Sequence, residues 1–394
     1  KLSALDALVY RSRLIGAQET LGLYGGGNTS IKSTQQDFRG TPQPVLWVKG
    51  SGADLKGCEA RHFACLSLAP LRYLETRTHM DDEEMVRALE RCLVDPKSPR
   101  PSVETLLHAF IPDTSVDHTH ADAILALANT RRGQQLVRRV LGPDLLWIPY
   151  LQPGFQLSRY VFDAYQEHPG AHGAVLEHHG LITWGADGRE SFQRTLNYVS
   201  RAERYIAAQR RRRARTLVTV ARLPAPRHAS VLRHWLPVIR NTISPNRPVC
   251  LGVWDTPDVL AFVNARGMSQ LARIGPATPD HMLRTKRLPC VLPRPHHAPQ
   301  KALAAVTRQL NRYAETHRQY VERFQTSKLL IDPYPRVMLI PGIGMVTSGN
   351  DATETSMVAT VYRHAMAIMR DASTVGTYTS VSAREAFGVE YWPL

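Results

Sequence analysis

Two histidines one residue apart, in the run Val116-Asp117-His118-Thr119-His120, constrain this chain more than any other feature. In an extended strand successive side chains alternate between faces, so His118 and His120 point the same way and can share one ion. About sixty residues on, Gly173-Ala174-Val175-Leu176-Glu177 reads as a second strand, delivering His178-His179-Gly180-Leu181-Ile182. A third imidazole from there completes a three-nitrogen site with one position left open, the arrangement that catalytic zinc takes. Neighbours in a regular strand face opposite ways, so only one of His178 and His179 can join.

Upstream, Ser102-Val103-Glu104-Thr105-Leu106-Leu107-His108 begins a helix with Ser102 as its cap. Glu104 and His108 share a face of that helix. The helix runs into the His118 strand through a loop of a few residues, which brings Glu104 within reach of the same ion or of a substrate bound to it. Two glycine loops precede these elements. Gly25-Gly26-Gly27-Asn28-Thr29-Ser30 is expected to join two strands, and the strand Val45 to Lys49 leads into Gly50-Ser51-Gly52-Ala53-Asp54. Adjacent glycines let backbone amides approach a phosphate or a sugar hydroxyl closely. Neither loop has Walker or G-x-G-x-x-G spacing, so nucleotide binding is not indicated.

Around these motifs the periodicity predicts helices over residues 4–22, 121–140 and 190–209, a strand over 145–149, and two short helices within 59–95. A stretch rich in Pro, Arg and His from Pro224 to Pro248 reads as a linker with one helix, placing a boundary near 220: one domain over 1–220, a smaller one over 221–394. The latter is expected to alternate strands (249–254, 259–263, 337–340) with helices (302–324, 352–371), an α/β pattern. Gly342-x-Gly344 lacks the third glycine of a dinucleotide fingerprint. Asp280, His281, Arg284 and Lys286 form a polar cluster that suits either ligand contact or structural charge pairing.

The formal charge is +15, from 49 Lys and Arg against 34 Asp and Glu. The basic residues are spread along the chain. Their one dense block, Arg210 to Arg213 with Arg215, follows a helical stretch and reads as a solvated helix end rather than a nucleic-acid surface. No run reaches the length of a membrane span, and no signal-peptide pattern opens the chain. Five cysteines without C-x-x-C spacing fit reduced thiols, hence a soluble cytoplasmic protein.

Taken together, Gly26-Gly27-Asn28-Thr29-Ser30, Lys49-Gly50-Ser51-Gly52, Ser102-Val103-Glu104, His118-Thr119-His120 and His179-Gly180-Leu181-Ile182 resemble the class II aldolase/adducin family in order and spacing, across about residues 5–210. The match is similar to the aldolase part of bifunctional rhamnulose-1-phosphate aldolase/short-chain dehydrogenase proteins. Segments 274–286, 341–346 and 385–394 resemble the region that precedes their dehydrogenase half. The resemblance implies an α/β/α domain with a central, largely antiparallel sheet, followed by a smaller α/β domain. It implies Zn2+, or another divalent transition metal, on His118, His120 and His179, with Glu104 as the catalytic acid/base. Asn28, Ser51, Gly52 and Ser102 fall on the positions that bind the substrate phosphate. Val103 departs from the hydroxyl residue usual in sugar-phosphate aldolases. The implied reaction is retro-aldol cleavage of a rhamnulose- or fuculose-1-phosphate type deoxyketose to dihydroxyacetone phosphate and lactaldehyde. Relatives of the fold also include a sugar-phosphate epimerase, a dehydratase and the non-catalytic adducin modules. The family's habit implies a homo-oligomer, up to a tetramer, in which a neighbouring subunit often lends a tyrosine as second acid.

Overall fold

The computed structural model describes residues 2–37, 39–213, 221–245, 247–295, 302–325 and 332–392. Two compact units divide the chain, Lys1–Ala208 and Gln209–Pro393. The stretch 214–220, where the sequence suggests a boundary, and Arg215 lie outside the described residues, as do Pro393 and Leu394. No described helix is long and apolar enough to cross a membrane.

The first unit opens with α1 (Ala4–Gly16), capped by Ser3, whose side chain accepts from the Asp6 amide. There follow β1 (Asn28–Gln36), β2 (Pro42–Lys49), β3 (Phe63–Ser67), α2 (Leu68–Tyr73), α3 (Asp82–Arg91), α4 (Thr105–Phe110) and β4 (Ser115–Thr119). Then come α5 (Asp122–Ala128), α6 (Gly133–Leu141), β5 (Leu145–Ile148), α7 (Phe155–Glu167), β6 (Gly173–Leu176), β7 (Gly180–Gly185) and α8 (Gly188–Arg213), whose residues from Gln209 on are counted with the second unit. The seven strands form one sheet in the order β3-β2-β1-β4-β7-β6-β5. Every neighbouring pair is antiparallel except β5 and β6. Strand alternation sends Leu46 and Val48 into a core shared with α2, α3 and α4, and Trp47 to the other face against Leu5 and Leu8 of α1. Both faces are thus covered, giving the α/β/α arrangement.

Three expectations give way here. The glycine loop at 25–30 joins α1 to β1, not two strands: Leu21 and Leu23 alternate as a strand would, but turn bonds from the Leu21 amide to Gln18 O and from the Gly26 amide to Leu23 O coil them. The predicted helix over 121–140 is two helices, because Gly133 sits so close over the Ala128 carbonyl that a Cβ there would lie 2.0 Å away. And β3, inside a stretch read as helical, has Phe63, Ala64, Cys65 and Leu66 all buried, so no polar alternation marks it.

The second unit contains α9 (Ala225–Ile243), β8 (Cys250–Trp254), α10 (Pro257–Val263), α11 (Met268–Leu271), α12 (Pro279–Thr285), β9 (Cys290–Val291), α13 (Leu303–Phe324), β10 (Val337–Ile340), β11 (Gly344–Gly349), α14 (Ala352–Val375) and α15 (Ala383–Glu390). Its four strands run β8-β11-β10-β9. Trp235 and Ile239 of α9 and Val306 and Leu310 of α13 pack with Met338, Ile340 and Val346 of the sheet. The apolar run 259–263, expected as a strand, is helix α10. Pro257 at its first turn starts a helix, and Val259, Phe262 and Val263 are its buried face.

Candidate metal centre

β4 lies in the middle of the seven-stranded sheet, with His118 opposite Asn28 of β1 and opposite Ile182 of β7. Val116, two residues before His118, packs with Leu107 of α4. His118 and His120 therefore look toward α4, and Asp117, next to His118, looks to the opposite face. There it meets Arg11 of α1 at 2.9 Å and the Ser191 hydroxyl at 2.8 Å. Arg11 also donates to the Ser30 carbonyl at 2.7 Å. One buried guanidinium thus ties β1 and β4 together directly behind the histidines.

The third imidazole comes from the turn between β6 and β7. His178 takes a φ of 54°, and this left-handed residue turns the chain so that His179, not His178, faces the pair. The ring centroids are 4.8 Å apart for His118–His120, 4.8 Å for His118–His179 and 5.1 Å for His120–His179. Ligand-capable atoms of all three lie within 4.8 Å of one another. The His178 ring lies instead beside Tyr150, with centroids 6.4 Å apart.

The donor set fits a divalent ion. His118 Nδ1 lies 3.1 Å from the Leu181 carbonyl; a carbonyl only accepts, so Nδ1 carries the proton and Nε2 keeps its lone pair. Burial holds the His118 pKa well below its ordinary value, so the ring is neutral. Its Nε2 faces His120 Nε2 at 2.9 Å. Close approach depends on Gly180: a Cβ there would come within 3.0 Å of the His120 ring and 3.2 Å of the His118 ring.

Glu104 is buried, 7% exposed, at the N-terminal cap position of α4. Its Oε1 lies 3.1 Å from His179 Nε2 and 3.6 Å from His118 Nε2. Its Oε2 accepts from the Asn28 side-chain amide at 2.7 Å. Ser102 is not the helix cap; its hydroxyl accepts from the Glu104 amide at 3.2 Å and from Asn28 at 3.4 Å. The structure thus gathers His118, His120, His179, Glu104, Asn28 and Ser102. Ser51 and Gly52 stand on an exposed loop, tied to the Ser102 segment by the Ser51 amide donating to Arg100 O at 2.9 Å. Lys49 fastens that loop to the other glycine loop, donating to Gly25 O at 2.9 Å and to Ala53 O at 2.6 Å. Val103 packs against the apolar core.

Of the polar cluster in the second unit, Lys286 donates to the Tyr334 carbonyl at 2.8 Å and to that of Asp332, His281 is buried, and Arg284 is exposed. Gly342 and Gly344 flank a hairpin turn, not the start of a helix, and the Gly342 amide donates to Asn264 Oδ1 at 2.8 Å.

A family model described as the class II aldolase and adducin N-terminal domain matches residues 6–206, and one described as the second domain of class II aldolases matches residues 230–394. The chain belongs to the class II aldolase/adducin family. It is 39% identical over 396 residues to a protein named uncharacterized oxidoreductase YuxG of Bacillus subtilis strain 168, covering 99% of this chain and 57% of that one. The chain therefore spans little more than half of that relative's length. The solved N-terminal class II aldolase domain of a conserved protein from Thermoplasma acidophilum is similar at 42% identity with a TM-score of 0.50, covering 52% of this chain and 95% of that one.

Proposed function

We propose that the first unit is a metal-dependent aldolase that cleaves a deoxyketose 1-phosphate, of the rhamnulose or fuculose type, to dihydroxyacetone phosphate and lactaldehyde. The observation that carries this reading is the Glu104 carboxylate standing 3.1 and 3.6 Å from two of three converging imidazole nitrogens. His118, His120 and His179 would hold the ion, and imidazole ligands favour zinc over magnesium. When bound, the ion supplies a Lewis acid for negative charge developing on the oxygens of the three-carbon fragment.

The remaining work falls to side chains. Breaking C3–C4 turns the C4 alcohol into an aldehyde and leaves an electron pair on the three-carbon piece. The C4 hydroxyl proton must leave and C3 must gain one, so the sum needs neither water nor an oxidant. Glu104 would move the proton at C3 through Oε1, while the Asn28 side-chain amide holds Oε2. The loops carrying Ser51, Gly52 and Ser102 are assigned to the phosphate. The word oxidoreductase in the relative's name is said of a protein of which this chain covers 57%.

The test is product analysis of zinc-loaded protein with rhamnulose and fuculose 1-phosphates, coupled to dihydroxyacetone phosphate detection. Glu104→Gln should keep its metal and lose about two or more orders of magnitude in rate. Epimerised or dehydrated sugar phosphate in place of two fragments would move the reading to those reactions on the same site.

A further inference from the structure

Behind Glu104 runs a chain of buried hydrogen bonds that the metal centre does not explain. His108 is fully buried on α4, one turn after Glu104. Its Nδ1 lies 2.7 Å from the Ser30 hydroxyl, and its Nε2 contacts Asn28 Oδ1. The spacing makes the chain a ladder between two elements. Asn28 and Ser30 are two apart on a strand, about 6.6 Å, and Glu104 and His108 are four apart on a helix, about 6 Å. Each strand residue thus finds a helix residue opposite.

The direction of every bond follows from chemistry. An ionised carboxylate only accepts, so the end of the Asn28 side chain that faces Glu104 must be its NH2. Oδ1 then faces His108, whose Nε2 must carry the proton. Burial pushes the His108 ring down to about 3, so it is neutral and Nδ1 is a lone pair that the Ser30 hydroxyl supplies with a hydrogen. Ser30 donates to His108, His108 to Asn28, and Asn28 to Glu104, with one polarity throughout. The Lys32 ammonium, donating to the His108 carbonyl at 2.9 Å and to the Asp113 carbonyl at 2.7 Å, fixes the end of α4 that bears the ring.

We propose that His108, oriented by Ser30, is a positioning residue that acts through the Asn28 amide to hold the Glu104 carboxylate against the three histidines. The proposal rests on the reading of Glu104 as the proton-moving group, and concerns what keeps it in place. Without His108 the Asn28 amide is free to rotate, Glu104 Oε2 loses its donor, and Oε1 leaves the position it needs.

The decisive experiment pairs structure with kinetics. Crystal structures of zinc-loaded wild type and His108→Leu should show the three histidines and the ion unmoved, while Asn28 rotates and Glu104 leaves its place or splits between two rotamers. In turnover, kcat should fall about ten- to a hundredfold, the scale for residues that orient active groups, with KM changed less than about twofold. His108→Gln, whose amide can still donate to Asn28 Oδ1, should recover most of the loss, and Ser30→Ala should lose less than His108→Leu. On an Asn28→Ala background His108→Leu should cost nothing further. The proposal is overturned if Glu104 and Asn28 stay put in His108→Leu, if metal is lost with the ring, if Gln does not rescue, or if the two losses add. Should His108→Leu not fold, Gln and Ser30→Ala decide by the same criteria. If no sugar phosphate is cleaved by wild type, the aldolase reading fails by itself, and the crystallographic arm still decides this one.

Discussion

The stretch from β4 to α8 in the first unit and the stretch from β8 to α14 in the second are built to one plan. In both, the first strand is antiparallel to the fourth, the fourth antiparallel to the third, and the third parallel to the second. Gly185 pairs with Ser115 as Gly349 pairs with Cys250. The Thr183 hydroxyl donates to Ser191 O at 3.1 Å, and that of Thr347 to Thr355 O at 3.0 Å. Asp187 caps α8 by accepting from the Glu190 amide, as Asp351 caps α14 by accepting from that of Glu354. Even the hairpin turn repeats, with His178 at φ 54° and Gly342 at φ 88°.

Set on this frame, the differences isolate the site. The positions of His118, His120 and His179 are held in the second unit by Val253, Asp255 and Ile343, and Asp255 pairs with Arg222. Asp117 is replaced by Gly252, where an added Cβ would come within 2.8 Å of the Thr355 methyl. In the second unit a methyl group thus fills the space that Asp117 and Ser191 share in the first. Elsewhere in the second unit, His317 Nε2 lies 2.6 Å from the Tyr391 hydroxyl, and Lys286 donates to the Tyr334 carbonyl. Strand order, hairpin and capped helix are the scaffold, and the candidate metal centre is a set of side chains carried by one copy of it.

This comparison can be broken at several levels. Replacing any one of His118, His120 or His179 by Ala should abolish metal binding, measured as metal per chain after dialysis, while Val253→Ala, Asp255→Ala and Ile343→Ala leave it unchanged. Metal lost from the second set would mean that the two stretches are not separate in function. Arg11→Met removes the guanidinium from buried Asp117, leaving it the Ser191 hydroxyl alone among its side-chain partners here, and should lower stability by about 3–5 kcal/mol in urea titration. Because the second unit has glycine at the equivalent position, a loss confined to the first unit's transition is expected.

Acid sharpens the comparison from the other side. Burial lowers the His317 pKa from 6.5 to about 3. Below pH 6.5 the unfolded chain takes up the proton first, so stability present above 6.5 is lost as pH falls toward 3, about 2 kcal/mol of it by pH 5. Calorimetry at pH 7 and pH 5 should show His317→Gln losing less than wild type; equal losses would assign the acid sensitivity to other groups. The smallest effect belongs to the turn. His178→Gly, which copies Gly342, should keep its full metal content and shift stability by less than about 1 kcal/mol, since relief of the left-handed backbone and the added freedom of the unfolded glycine oppose each other. Loss of metal from this variant would put His178 in the centre after all.

The pieces legible in the sequence are those with local signatures. His-x-His on a strand, Glu104 at the start of a helix and the glycine loops each announce themselves within a few residues. The Arg11–Asp117 pair does not, because its members are 106 residues apart and either alone is an ordinary charged residue. Asn28 was legible as a polar residue in a glycine loop, but its bonds to Glu104 and His108 depend on β1 lying against α4. The repeat is hidden for a different reason. Its shared residues are few, such as Gly180 with Gly344 and Thr183 with Thr347, and the offset changes between strands as the connecting segments change length.

The central place of β4 has one last consequence, for the order in which the molecule is made. Its partners are Asn28, ninety residues before His118, and Ile182, sixty-four after it. Contacts of such separation form slowly compared with local helices. A nascent chain that has emerged as far as His120 holds two of the three imidazoles, and β4 still has an open edge. An ion held by these histidines would therefore not be a nucleus around which the first unit condenses, but would arrive late, in a frame that Arg11 and the apolar core close.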